Sequence, residues 1–133
     1  MSQEDIRFRQ RFQNYHRAFG FLRTIVALPP KTDIERAALI QAFELTFELA
    51  WKLLKDELAM QGQVIPSPRD VIKQAFQNRA IANGEAWLRA LQDRNNTTHI
   101  YDEETSKAVS ARITGEYFPL LEDLHRRLLP LLK

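Results

Sequence analysis

The segment from Thr32 to Gly62 constrains the fold more than any other part of the chain, because its apolar residues recur with the period of an α-helix. One stripe along it consists of Leu39, Phe43, Phe47, Ala50, Leu54 and Leu58. Ile40, Trp51 and Leu53 extend the apolar surface on its flanks, so this helix is expected to be the most buried. Its start is predicted at Thr32 and Glu35, which have the spacing of a capping box.

Helices are also predicted on either side of this segment. The first ends at Pro29-Pro30, and its core-facing stripe is Phe8, Phe12, Tyr15, Phe19, Leu22 and Val26. A short third helix is predicted to begin at Ser67 as its cap, with Pro68 in its first position.

Two further helices complete the chain. A turn at Asn83-Gly84 precedes the fourth helix, and the fifth follows Asp102, with a kink expected near Pro119. No segment alternates as a β-strand does, and 133 residues suffice for one domain. The sequence therefore predicts an all-α protein, a bundle of four or five helices in a single domain, 1–133.

Several kinds of function are excluded by what the sequence lacks. It contains no cysteine, no glycine-rich phosphate loop and no HExxH or GxSxG motif, and its three histidines lack zinc-ligand spacing. It also lacks the glycine-serine turn with which small nucleotidyltransferases hold metal and triphosphate. From these absences we expect no metal or cofactor. The lack of cysteine fits a reducing cytoplasm, where we expect the protein, and since no run approaches the roughly 18 apolar residues of a membrane span, we expect no membrane association.

The charge of the chain leaves its partners open. A net charge of +2 is too small to require a nucleic-acid partner. The first helix is locally basic, since Arg7, Arg9, Arg11, Arg17 and Arg23 outnumber its acidic residues. Such a helix either faces phosphates or is a solvated surface, and the second is the commoner case.

The residues best suited to chemistry are Arg94, His99 and Tyr101, between the fourth and fifth helices. On a continuous helix Arg94 and Tyr101 would share a face, but His99 would lie ~140° from Arg94. Convergence of all three therefore requires the helix to end within Asn95–Thr98, whose residue types make that break plausible.

An arginine and a histidine at one site suit RNA cleavage by attack of the 2′-hydroxyl on its own phosphate. Arginine binds phosphate bidentately, and histidine transfers protons near neutral pH. Because the reaction benefits from both a general base and a general acid, the single histidine at this place favours a homodimer. The alternative is that Arg94 pairs with Asp93 or Asp102 while His99 only caps a helix.

Other polar residues have two interpretations each. Glu44, Glu48 and Lys52 line one edge of the second helix, where Glu48 either orients the Arg94–His99 site or joins a solvated salt bridge. Asn95 is a further supporting candidate. His16 and His125 are expected on helix surfaces, Trp51 and Trp87 in the core, and the acidic run Asp102–Glu104 at a helix start without a metal.

At these residues the chain resembles the HEPN superfamily, specifically the branch of nucleotidyltransferase substrate-binding proteins. The Arg-x4-His-x-Tyr motif of the superfamily maps onto Arg94, His99 and Tyr101. Similar segments occur elsewhere along nearly the whole chain: Phe43-Glu44, Phe47–Lys52, the SPRDVI start of the third helix, and Tyr117–Leu120.

This resemblance implies an up-and-down bundle that dimerises and has a minimal nucleotidyltransferase as its partner. It implies a metal-independent ribonuclease, the toxin of a toxin–antitoxin pair, with Arg94 and His99 as the active pair. The partner would silence it by attaching AMP to Tyr101. The alternative that the resemblance leaves open is a non-catalytic, substrate-binding subunit of a two-component nucleotidyltransferase.

Overall fold

The two longest helices pack against each other as an antiparallel pair. The computed structural model describes residues 2–29, 32–99 and 102–132. Within it, α1 spans Gln3–Val26 and α2 spans Asp33–Met60. The predicted capping box at the start of α2 is confirmed: the Thr32 hydroxyl accepts from the Glu35 amide, and the Glu35 carboxylate accepts from the Thr32 amide.

Two short helices follow, α3 over Pro68–Gln77 and α4 over Gly84–Asn95. The Ser67 hydroxyl caps α3 and the Asn83 side chain caps α4, as the turn residues predict. Position 84 must be glycine, because a Cβ there would lie 2.8 Å from the Phe76 ring. The absent side chain therefore allows α3 and α4 to approach each other.

The rest of the described chain is one continuous rod. It consists of α5 over Glu103–Arg112, a π-helical turn over Ile113–Tyr117, α6 over Phe118–Leu128, and a final 3₁₀ turn over Leu129–Leu132. Near Pro119, where a kink is expected, the helix contains this π turn, which ends two residues before the proline. The wider turn accommodates a proline that has no N–H and whose ring would collide with the preceding carbonyl.

The core is centred on α2, as the hydrophobic stripe predicts. Fully buried aromatic side chains from four elements meet there, namely Phe12, Tyr15, Phe19, Phe43, Phe47, Trp87 and Tyr117. Trp51 is buried as well, so the core positions predicted for both tryptophans are confirmed. On α1 the last buried residue is Ile25, whereas the predicted Val26 is only partly buried.

The predicted all-α fold is confirmed, since the described residues form α1 to α4, the rod and one short 3₁₀ segment, and contain no strand. Among the same residues, no helix combines the length and the apolar character that crossing a lipid bilayer requires.

The expected surface position of His125 is wrong. His125 is only 8% exposed, and its ring stacks on Phe19 with 4.6 Å between the ring centroids. Its Nε2 shares a hydrogen bond of 2.8 Å with Nδ1 of His16, which is exposed on α1. Burial, together with the nearby His16 and Arg23, lowers the pKa of His125.

This buried histidine predicts a loss of stability in mild acid. The unfolded chain takes up a proton near the ordinary histidine pKa of about 6.5, whereas folded His125 resists protonation. The free energy of unfolding should therefore fall between about pH 7.5 and pH 5.5. The variant His125→Phe keeps the ring stacking but cannot take up a proton. Its free energy of unfolding, measured in urea, should therefore fall less over this pH range than that of the wild type.

The matched control is His99→Gln, which changes an exposed histidine and leaves His125 and its ring contacts in place, so the fall in stability should remain. Equal pH dependence in His125→Phe and the wild type would contradict a role for His125.

Candidate functional site

The helix carrying Arg94 ends one residue later, as convergence of the motif requires. The chain leaves α4 at Asn95 and turns through a 3₁₀ segment, Thr97–His99. The Thr97 hydroxyl donates to the Arg94 carbonyl at 2.8 Å, and the His99 amide donates to the Asn96 carbonyl at 2.9 Å. The asparagine and threonine side chains thus stand where α-helical hydrogen bonding stops, which confirms the predicted break.

Glu48 of α2 holds the Arg94 side chain. A terminal nitrogen of Arg94 lies 3.0 Å from Oε2 of Glu48. The same carboxylate accepts from the Trp51 indole N–H at 3.0 Å and lies 3.2 Å from the Lys52 ammonium. The alternative pairing of Arg94 with Asp93 or Asp102 is wrong within the described residues, because Glu48 is the carboxylate that contacts it.

The charge state of Glu48 follows from these contacts. Partial burial opposes ionisation, but the Trp51 N–H, the Lys52 ammonium and the Arg94 guanidinium outweigh it and lower the pKa of the Glu48 carboxyl. Glu48 is therefore a carboxylate at neutral pH, and its interactions with both cations are charge-assisted.

Arg94 is held from one side only. Its side chain is 35% exposed, and its Nε is buried without a hydrogen-bond partner among the described residues. A guanidinium so placed keeps donors that an entering anion can use, while Glu48 limits where the group can move.

Asp93 anchors the end of α4 to the rod. Its carboxylate accepts from Nε and Nη2 of Arg112 at 2.7 and 3.2 Å and from the Tyr117 hydroxyl at 2.6 Å. Burial and the charge of Asp93 raise the pKa of Tyr117, so the phenol stays a neutral donor. Since Asp93 precedes Arg94, this cluster fixes the backbone at the site.

No pattern in the sequence predicts this anchor. Asp93 is 19 residues from Arg112 and 24 from Tyr117, so no local spacing relates them. The nearest signal was Pro119, which marks the irregular turn that carries Tyr117.

An open groove adjoins Arg94. It has a volume of about 540 Å³ and lies between α1 and α2, lined by Phe21, Ala38, Gln41, Ala42, Glu44, Leu45, Glu48 and Arg94. Phe21 and Leu45, which both line this groove, are 59% and 57% exposed. The site therefore combines an arginine with an exposed apolar wall.

For the other predicted site residues that the structure describes, it gives no side-chain partner. His99 and Asn95 are exposed, and neither side chain makes a hydrogen bond within the described residues. Tyr101 lies outside the described residues. The structure thus brings Glu48 to Arg94, while the roles predicted for His99, Asn95 and Tyr101 stay predictions.

Comparisons with known proteins agree with this architecture. Residues 10–129 match the family model described as "nucleotidyltransferase substrate binding protein like". The chain is 33% identical over 101 residues to a Haemophilus influenzae protein named "probable ribonuclease HepT", covering 68% of each chain. A crystal structure of a Thermus thermophilus protein superposes with a TM-score of 0.79 at 32% identity, covering 86% of this chain and 98% of that one.

The Glu48 contacts predict a stability effect that depends on pH. Because folding lowers the pKa of Glu48, the stability it contributes is present above its unfolded pKa and is lost as the pH falls through the folded value. Glu48→Gln should cost about 0.5–1 kcal/mol at neutral pH, and this cost should shrink as the pH falls below the ordinary glutamate pKa, by chemical denaturation.

Glu44→Gln is the matched control, since Glu44 lies one turn earlier on α2 and forms no ion pair among the described residues. A loss of equal size in Glu44→Gln, or a Glu48→Gln loss that persists in acid, would contradict the interaction.

Proposed function

Since this chain belongs to the nucleotidyltransferase substrate-binding-protein-like family of the HEPN superfamily, we propose that it is a metal-independent endoribonuclease. We further propose that it is the toxin of a pair whose antitoxin is a minimal nucleotidyltransferase. The observation that carries the proposal is the guanidinium of Arg94, held by Glu48 and anchored through Asp93, at a helix end that also carries an exposed histidine.

The chemistry of these groups suits cleavage through the 2′-hydroxyl. Two His99 side chains act in this reaction, one from each copy of the chain. The neutral His99 takes the hydroxyl proton as the 2′-oxygen bonds to phosphorus, and the protonated His99 of the other copy gives a proton to the departing 5′-oxygen. Arg94 stabilises the negative charge that accumulates on the phosphoryl oxygens. The products are a 2′,3′-cyclic phosphate and a 5′-hydroxyl end.

Two histidine roles and one motif histidine per chain support a homodimer as the active form. The exposed Phe21 and Leu45 beside Arg94 support the same arrangement, because a second copy on this side would cover apolar surface next to the site. In the proposed dimer, the two-fold axis places the His99 side chains of both copies in one cleft.

The ribonuclease is tested with purified protein and transfer RNA. Cleavage should persist in EDTA and leave cyclic phosphate ends, and His99→Ala and Arg94→Ala should each lower the rate by about two to four orders of magnitude. Light scattering of the same preparation should give the mass of two chains.

His125→Phe is the control, since it removes a histidine that lies in the α1–α6 contact, and it should cleave at the wild-type rate. Undiminished cleavage by His99→Ala would contradict the proposed site. No cleavage of any RNA by the wild type would favour the non-catalytic substrate-binding subunit.

We propose Tyr101 as the residue that the partner modifies, on the strength of its position two residues after His99 in the motif. Its hydroxyl oxygen would bond to the α-phosphorus of ATP as pyrophosphate leaves. The attached phosphate would compete with RNA phosphate for Arg94.

Co-expression with the nucleotidyltransferase should add the mass of one AMP group to the chain and abolish cleavage. Tyr101→Phe should retain cleavage and escape the modification. Intact-mass spectrometry with peptide mapping decides this: an unmodified wild-type chain, or AMP on Tyr15 or Tyr117, would overturn the assignment.

A further inference from the structure

A second group of basic side chains lies where α1 packs beside α2, outside the motif. We name Arg7, Arg11, Lys52 and Lys55 the cationic strip. Arg11 holds the two helices together: its Nη1 donates to Asp56 at 2.7 Å and to the Lys52 carbonyl at 3.3 Å. Arg7 and Lys55 also act electrostatically on the Asp56 carboxyl, so three of the four cations surround it.

Two of these cations lack a carboxylate of their own within the described residues. Arg11 pairs with Asp56 and Lys52 with Glu48, whereas Arg7 and Lys55 form no ion pair there. Neither Arg7 nor Lys55 donates a hydrogen bond among the described residues, and the Lys55 ammonium rests 5.9 Å from the Trp51 ring centroid. The strip therefore presents excess positive charge to solvent.

The strip is continuous with the candidate site. Lys52 and Arg94 contact the two oxygens of the same Glu48 carboxylate, at 3.2 and 3.0 Å. Around α2, Lys52 and Lys55 each lie within about 40° of the direction of Glu48, and Lys55 is about 10 Å further along the axis. A row of cations thus leads from Arg94 toward the start of α1.

We propose that the cationic strip is a track for the phosphate backbone of single-stranded RNA, beyond the phosphate that Arg94 holds. This inference rests on the proposed function and adds the way in which the substrate is bound. A row of separated cations complements the repeated charge of a nucleic-acid backbone. Single-stranded RNA fits because in-line attack by a 2′-hydroxyl needs a backbone that can leave helical geometry.

The track carries little information about base sequence. Trp51, the aromatic residue beneath Lys55, is only 8% exposed and so offers no open face for base stacking. Lysine and arginine contacts to phosphates position a strand without reading it. We therefore expect affinity that depends strongly on salt and weakly on sequence.

The test measures binding separately from cleavage. The probe is a fluorescent 2′-O-methyl RNA oligonucleotide, whose blocked 2′-oxygens prevent cleavage, and anisotropy gives its affinity as a function of salt. Arg7→Gln/Lys55→Gln removes two track cations. With about 0.7 released counterions per phosphate contact on a single strand, its salt slope should be smaller by about 1.4.

Between about 50 and 200 mM salt, the wild type should then lose roughly sevenfold more affinity than this variant. The control is Arg69→Gln/Lys73→Gln, which removes the same charge from exposed positions on α3 and should keep the wild-type slope. Equal unfolding midpoints would show that neither pair of substitutions disturbs the fold.

The outcomes separate the track from the proposed activity. If Arg7→Gln/Lys55→Gln (the α1–α2 variant) and Arg69→Gln/Lys73→Gln (the α3 control) show the same dependence of RNA affinity on salt, the track is overturned, even if the protein cleaves RNA. A reduced slope only in the α1–α2 variant would support it, even if no RNA is cleaved and the ribonuclease proposal fails. If the substitutions weaken nucleotidyltransferase binding and leave the RNA slope unchanged, the strip contacts a protein and the track is overturned.

Discussion

The interactions of the Glu48 carboxylate are the constraint on which the candidate site depends. Glu48 projects from α2, the helix around which the core is built, so its position follows from the packing of the whole bundle. From there it holds the Arg94 guanidinium, the Lys52 ammonium and the Trp51 indole N–H. One charge on a rigid helix thereby orients a cation at the end of another helix.

A second carboxylate, that of Asp93, fixes the residue next to Arg94. Asp93 binds Arg112 and Tyr117 of the rod, while Arg94 turns toward α2. The two consecutive residues are therefore tied to two different elements, Asp93 to the rod and Arg94 to α2, and these contacts hold the last turn of α4. The π turn carries Tyr117, whose hydroxyl donates to Asp93. This irregular turn of the rod thus helps to fix the end of α4.

The same geometry has an energetic consequence for anion binding. Glu48 neutralises part of the charge of Arg94, so Arg94 attracts a phosphate less strongly than an unpaired arginine would. Neighbouring Lys52 supplies a further positive charge on the far side of Glu48. Arg94 is thus restrained and partly neutralised, while further cations lie along α1 and α2. Several cations along one path favour a polyanion over a single small anion.

Much of the fold was predictable from residues close together in the chain. Capping at Thr32 and Ser67 and the stripe through Phe43 and Phe47 depend on local hydrogen bonds and on a period of 3.6 residues. The break after Arg94 was predictable for the same reason, since Asn95–Thr98 compete locally with helical hydrogen bonds.

Contacts between distant residues were not predictable in this way. From the sequence, Glu48 either orients the Arg94–His99 site or joins a solvated salt bridge, and the carboxylates expected beside a non-catalytic Arg94 were Asp93 and Asp102. The sequence also assigned His125 to the surface, because a polar residue beside an apolar stripe is usually solvated.

By itself, then, the sequence determined the helices, their buried faces, the end of α4 and the motif residues, all of which follow from interactions within a few residues. Only the tertiary structure decided that Arg94 pairs with Glu48, that Asp93 binds Tyr117, and that His125 is buried against His16. The physical reason is that charge pairing and burial depend on which helix faces bundle packing brings together, and that arrangement is set by the whole core rather than by local spacing.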